Sequence, residues 1–158
     1  MNKCILAVSI LICGLLVSAC GNSGISSLLP TKINSFKATI GAAAQTPPVT
    51  IAAATDVKFD WSVDTTASTY NANLYVSSTT SPVSTPLFTK VSTSGNDSVT
   101  CKTDKTVPGK TFMTCTSTGG VPNIYDVTSL VGTTAYMVLQ VNGVNAATDK
   151  ATIQLDIK

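Results

Sequence analysis

Strict alternation of apolar and polar residues is clearest over residues 57–64. Val57, Phe59, Trp61 and Val63 take every second place, and charged or hydroxyl-bearing residues fill the places between them. Successive side chains of a strand point to opposite faces, so the pattern predicts a strand with one face in a core and the other in water. Trp61 is the only tryptophan of the chain, and we expect it at the centre of that core.

The same period of two recurs along the chain. It places apolar residues on one face at Phe36, Ala38 and Ile40, at Tyr70, Ala72, Leu74 and Val76, and at Ala151, Ile153, Leu155 and Ile157. Residues 49–51 and 87–91 predict two shorter strands. Pro47-Pro48 suits an edge strand, because proline cannot donate a ladder hydrogen bond. No helical periodicity is visible after residue 20, and we predict an all-β antiparallel sandwich.

Composition narrows the set of partners. The chain of 158 residues is long enough for one domain with a core. Its charged residues are ten Lys and eight Asp, with no Arg, Glu or His, for a net charge of +2. Nucleic acid is not an expected partner, because no Arg is present to grip phosphate or to contact guanine.

The N-terminus has the features of an export signal. One Lys precedes an apolar segment, residues 5–17, which is shorter than the roughly 20 residues that span a bilayer. Val17-Ser18-Ala19-Cys20 resembles the lipobox of bacterial lipoproteins, with Val in place of the usual Leu. The resemblance implies a signal peptide over residues 1–19 and a lipid-modified Cys20 that anchors the chain in a bilayer. An ordinary secretory signal is the alternative.

The residues after Cys20 give a location and a tether. In the lipoprotein family of Gram-negative bacteria, the absence of Asp after the cysteine implies the outer membrane, on a side that this rule does not specify. Residues 20–32 are rich in Gly and Ser and predict a flexible tether of about 20 Å. The folded domain is expected over residues 33–158.

Two segments resemble the fibronectin type III family of immunoglobulin-like sandwiches. Residues 57–61 and 70–76 resemble its strands B and C, and residues 130–136 resemble its tyrosine corner, with Gly132 in place of Pro. The resemblance implies that the Tyr136 ring is buried, on the sheet facing Trp61, and that its hydroxyl bonds back to the backbone. The apolar residues after Tyr136 favour the opposite face, so a bulge or a second covered face is also open.

The stretch from about residue 82 to residue 120 exceeds what that family needs, and we interpret it as an insertion. Cys101 and Cys115 lie on two predicted strands that are joined by a turn containing Pro108-Gly109. An exported location and an even number of remaining cysteines predict a Cys101–Cys115 disulfide that staples a hairpin. A metal site is disfavoured because the chain lacks His, and the spacing is not that of a redox Cys-x-x-Cys motif.

Catalysis has few candidate residues. Without His there is no ordinary general base near neutral pH. Asp60 and Asp64 are candidates for an Asp-based hydrolase, but they fall on the solvated face of their strand. Scattered Asn96, Asp97 and Asp104 do not form a calcium loop. A Lys–Asn isopeptide crosslink stays an open alternative. We expect no enzyme, no metal, no cofactor and no small-molecule ligand.

The expected function is therefore that of a membrane-anchored binding or structural module. The first interpretation is an accessory subunit of a cell-envelope or surface assembly, with another envelope protein as its partner. Lys102, Lys105 and Lys110 near the hairpin tip are the candidate partner-binding residues, and an edge-covering role of the hairpin is the alternative. A surface adhesin or a carbohydrate-binding module is the second interpretation, with Tyr75 as the main outward aromatic residue.

Overall fold

The structure is a computed structural model that describes residues 31–158, except residue 84 and residues 144–147. The predicted signal peptide, the lipobox and Cys20 lie outside the described residues. Within the described part of the chain, no helix has the length and apolar character needed to cross a membrane.

The described residues form two six-stranded sheets that face each other. The strands are β1 Lys32–Ile40, β2 Ala43–Ala44, β3 Val49–Ile51, β4 Val57–Asp64, β5 Tyr70–Ser77, β6 Phe88–Ser92, β7 Gly95–Asp104, β8 Phe112–Thr116, β9 Gly120–Pro122, β10 Ile124–Asp126, β11 Thr134–Asn142 and β12 Thr148–Ile157. Sheet A has the order β10-β8-β7-β4-β1-β2, and sheet B has the order β3-β12-β11-β5-β6-β9. The predicted all-β sandwich is confirmed. One pair of these strands, β3 with β12, is parallel.

The core between the sheets is centred where the alternation places it. Trp61 on β4 is 1% exposed, and its Nε1 donates a hydrogen bond to Oη of Tyr70 on β5 at 3.0 Å. That bond joins sheet A to sheet B and satisfies the indole N–H, which would be costly to bury unpaired. The predicted burial of Trp61 is confirmed.

The position of Tyr136 contradicts the predicted tyrosine corner. Its neighbours Ala135 and Met137 fill the core, so strand alternation turns Tyr136 to the outer face of sheet B, where it is half-buried. Gly132 adopts a φ of 71°, which proline cannot reach, so the chain enters β11 differently from the family pattern. Val138, on the same outer face as Tyr136, is fully buried outside the central cluster. Strand β11 pairs with β5 and β12 in continuous register, without a bulge.

The segment predicted as an insertion, residues 82–120, contains a strand at the centre of a sheet. Strand β7 pairs with β4 along its length, from Val57 opposite Cys101 to Val63 opposite Gly95, and is thus a central strand of sheet A. Strands β1, β4 and β7 on one sheet, with β5, β11 and β12 on the other, match the distribution of strands in immunoglobulin-like sandwiches. The other six strands of the two sheets are β2, β3, β6, β8, β9 and β10.

The predicted disulfide is confirmed. Cys101 on β7 and Cys115 on β8 are directly opposite each other, are fully buried and are bonded, with their Cα atoms 4.0 Å apart. The hairpin that they join belongs to the core rather than to an appendage.

On both open sides of the sandwich, the chain crosses from one sheet to the other. It leaves sheet A after β2 and enters sheet B at β3, through a cis Pro47–Pro48 bond. On the opposite side it passes from β9 to β10 at Asn123, whose backbone N–H donates to Leu87 O at 2.9 Å and whose Nδ2 donates to Pro86 O at 2.8 Å. The outermost strands are two or three residues long, which leaves little edge for unwanted strand pairing.

Candidate functional site

The sandwich has two ends that differ in what they carry. At one, which we call the attachment end, Thr31 Oγ1 lies 3.1 Å from Thr65 Oγ1, and Lys32 is opposite Asp64. The opposite one, the hairpin end, carries the turn between β7 and β8, residues 105–111. Strand β4 runs from one to the other, and its eight residues span about 25 Å.

Local hydrogen bonds shape the turn at the hairpin end. Asp104 Oδ1 accepts the Thr106 backbone N–H at 2.8 Å, an aspartate turn that ends β7. The Lys110 N–H donates to Val107 O at 3.0 Å, and Gly109 between them has a φ of 71°. A side chain at that φ would be strained, so the Pro-Gly sequence suits this conformation.

Polar contacts fix the turn to the end of β10 and to the segment that follows it. Lys110 Nζ lies 2.8 Å from Asp126 Oδ2, and the Thr111 N–H donates to Thr128 Oγ1 at 2.9 Å. Thr128, the first residue of a short 3-10 helix ending at Leu130, donates its own N–H to Asp126 Oδ1 at 2.9 Å. Hydrogen bonds from Lys110 and Thr128 hold the pKa of Asp126 well below its ordinary value.

The three lysines predicted as partner-binding residues come together at this end, around two open grooves. The larger groove, about 570 Å³, is lined by Lys105, Val107, Gly109, Lys110, Thr111, Thr128 and Val131. The smaller groove, about 310 Å³, is lined by Ala53, Ala54, Lys102, Thr103, Asp104, Lys105 and Thr106. Lys105 lines both grooves, with Lys102 on one side of it and Lys110 on the other.

The smaller groove adjoins two features that sequence reasoning missed. Thr103 is 2% exposed, and its Oγ1 is a buried hydroxyl oxygen without a hydrogen-bond partner in the described part of the chain. Ala54 has a φ of 61°, unusual for a residue with a side chain, and its N–H donates to Thr103 O at 3.4 Å. No motif marks either residue, because both properties depend on the loop between β3 and β4 meeting β7.

An inward-facing ion pair was also missed. Lys90 lies opposite Ala72 and Asp97 opposite Trp61, so both point between the sheets. Lys90 Nζ is 2.7 Å from Asp97 Oδ1, and both side chains are 16% exposed. The signal was present in β6, where Lys90 and Ser92 continue the inward alternation that begins at Phe88.

Hydrogen bonds control the charge state of this pair. Burial alone would raise the pKa of Asp97, but hydrogen bonds from Lys90, Ser92 and the Ser98 N–H outweigh it and hold the pKa below its ordinary value. Burial raises the pKa of the nearby Tyr70. The arrangement fixes a carboxylate and an ammonium group between the two sheets, which suits a structural crosslink.

The other predicted sites are separate from the hairpin end. Asp60 and Asp64 lie on the outer face of β4, as expected, and Asp60 is paired with Lys58 at 2.6 Å. Over residues 31–158, apart from the gaps, no group of three or more Asp, Glu, His or Cys residues is placed to hold a metal ion. Comparison with protein-family models, curated proteins and solved structures found no match to this chain.

Proposed function

We propose that this chain is a non-enzymatic, lipid-anchored module of the bacterial cell envelope whose hairpin end contacts another envelope protein. Cys20 would be the anchor, and the outer membrane would be its location. The partner surface would comprise the two grooves and the exposed lysines Lys102 and Lys105 between them.

The opposite placement of the two ends carries this proposal. The tether enters the domain at Thr31 on the attachment end, so the grooves lie about 25 Å further from the point of entry. Loops that are held by a rigid scaffold and point away from an anchor are well placed for recognition. The contacts of Lys110 and Thr111 keep the hairpin end ordered before binding, which lowers the entropy lost on association.

The anchor is tested by Cys20→Ala. We expect the parent protein in the membrane fraction with a mass increase from acylation, and the variant in the soluble fraction or uncleaved. An unmodified N-terminal mass for the parent protein would contradict the proposed anchor and leave the partner surface to be judged separately.

The partner surface is tested by the double variant Lys102→Ala/Lys105→Ala, with Lys32→Ala/Lys37→Ala as a matched control. Both variants remove two exposed lysines, but the control pair lies on β1. Crosslinking in intact cells, followed by co-purification, should recover the partner with the parent and with the control. Recovery should fall at least tenfold with the hairpin-end variant. Equal recovery with both variants would contradict the placement of the partner surface.

A further inference from the structure

The outer face of sheet B presents amide and tyrosine side chains on its two central strands. The alternation that turns Leu74 and Leu139 into the core turns their neighbours outwards. The outward residues are Asn71, Asn73 and Tyr75 on β5, and Tyr136, Val138, Gln140 and Asn142 on β11. None of them is charged; Asn71 is exposed, Val138 is fully buried and the other five are half-buried.

The register of β5 with β11 gathers the four amides into a block. Asn71 lies opposite Asn142, and Asn73 lies opposite Gln140 in the next row of the same face. Side chains within a row are about 5 Å apart and successive rows about 7 Å apart. Gln140 Nε2 donates to Asn142 Oδ1 at 3.1 Å, which orders two of the amides.

The next two rows of this face carry the tyrosines. Tyr75 lies opposite Val138, and Tyr136 lies opposite Ser77, so the rings alternate between the strands. Both tyrosines are half-buried, Val138 beside them is fully buried, and burial raises the pKa of Tyr75. The rings therefore pack against the sheet and are ordered before any ligand arrives. Amides and tyrosines together form a strip about 20 Å long.

We propose that this strip binds a neutral polysaccharide chain. An amide side chain both donates and accepts hydrogen bonds, which matches a ligand whose hydroxyl groups do the same. Tyrosine combines an apolar ring, against which the C–H groups of a sugar can pack, with a polar hydroxyl. Neither type of side chain favours a charged ligand, and the strip itself carries no charge; the nearest charged side chain on this face is that of Lys150, opposite Gln140 on β12.

Other classes of partner fit the strip less well. Phosphate, nucleic acid and acidic peptides bind through Lys or Arg, and the strip has neither. A protein partner needs large anchors at the centre of its interface, but the exposed large hydrophobic residues of the described chain are Val91, Val107, Val121 and Ile124, all on other segments. Lys150, opposite Gln140 on the neighbouring β12, directs its Nζ to Thr80 O at 3.4 Å, away from the amide block.

The test uses the full chain, held in a detergent without sugar groups. It is mixed with insoluble cellulose, chitin and xylan, and run through gels containing amylose or, as an anionic comparator, alginate. We expect retention by at least one neutral polysaccharide. Asn73→Ala/Gln140→Ala should weaken that retention at least tenfold. The matched control Asn34→Ala/Asn96→Ala removes two exposed side-chain amides from sheet A and should change nothing.

Urea midpoints of the variants show whether folding is intact. If the alanine pair lowers the midpoint, Asn73→Asp decides instead, because it keeps the side-chain shape and adds a charge that should abolish retention. The proposal is overturned if none of the neutral polysaccharides is retained, if alginate alone is retained, or if the strip variant and the control bind equally. If the proposed protein partner at the hairpin end is not found, the result of this polysaccharide test still stands.

Discussion

The outer faces of the two sheets are built from different residues, although both sheets enclose the same core. On sheet A, charges of both signs lie on central strands, with Lys37 opposite Asp60 and Lys58 2.6 Å from Asp60. On sheet B, the outward positions of β5, β6 and β11 carry amide, hydroxyl, tyrosine or valine side chains. Charge therefore lies on the central strands of sheet A, whereas the outward charges of sheet B, Lys150 and Asp156, lie on β12 beside its central strands.

The two outer faces also differ in how far individual side chains on them are buried. Val138 on sheet B is fully buried although it points away from the core, whereas Thr100 on the outer face of sheet A is half-buried. An exposed ion pair such as that of Lys58 and Asp60 contributes at most about 1 kcal/mol. Val138 therefore contributes to stability from the outer face of sheet B, whereas the Lys58–Asp60 pair contributes little from the outer face of sheet A.

The largest effect should come from Trp61, which is buried between the sheets and hydrogen-bonded from one to the other. Trp61→Ala removes a buried ring and its hydrogen bond to Tyr70, and should lower the free energy of unfolding by about 3–5 kcal/mol. Denaturant melts of the parent and the variant measure this loss of free energy. An unchanged midpoint would mean that Trp61 does not hold the two sheets together.

The second effect should be confined to sheet A. Cys101→Ser/Cys115→Ser opens a crosslink between residues 14 positions apart, which should cost about 3 kcal/mol in the chain-entropy model. Hydrogen exchange should rise in β7 and β8 before it rises in β5 and β11. Uniform loss of protection across both sheets would show that the sheets unfold as one unit.

The third effect compares the outer faces directly. Val138→Ala should lower the free energy of unfolding by about 2 kcal/mol, because it removes two buried methyl groups. Thr100→Ala, with a side chain of nearly the same shape on the other face, should change it by less than about 0.5 kcal/mol. Equal losses of unfolding free energy for the two variants would mean that these outer positions do not differ in effective burial.

The smallest effect should come from the ion pair of Lys90 and Asp97, which joins the two sheets. The pKa of Asp97 lies below its ordinary value of 3.8, so its contribution to stability is present above that pH and is lost as pH falls through the lower, folded-state pKa. Asp97→Asn should cost about 1 kcal/mol at neutral pH. The difference from the parent should be constant above about pH 5 and shrink in acid. A difference that grows in acid would reverse the assigned sign.

Period-two patterning predicted the strands well because burial on one face is a local property of the sequence. It placed Trp61 in the core and paired Cys101 with Cys115, and the structure confirms both. The prediction for Tyr136 was wrong because it followed a family motif against the alternation of Ala135 and Met137, which indicates the outer face. The role of Lys90 depends on which strands face each other, a long-range property that local patterns do not contain.

The segment that leads into β1 and the proposed partner surface lie at opposite ends of the domain, which determines how a mechanical load would run through it. Thr31 precedes β1 at the attachment end, and Lys158 follows β12 at the hairpin end, where its N–H donates to Ile51 O at 3.0 Å. A pull between the proposed anchor and a partner at the hairpin end therefore runs along the strands, perpendicular to the hydrogen bonds between them. The bonds of β1 with β4 must then break together in shear rather than one after another, so the domain should resist a pull along its strands.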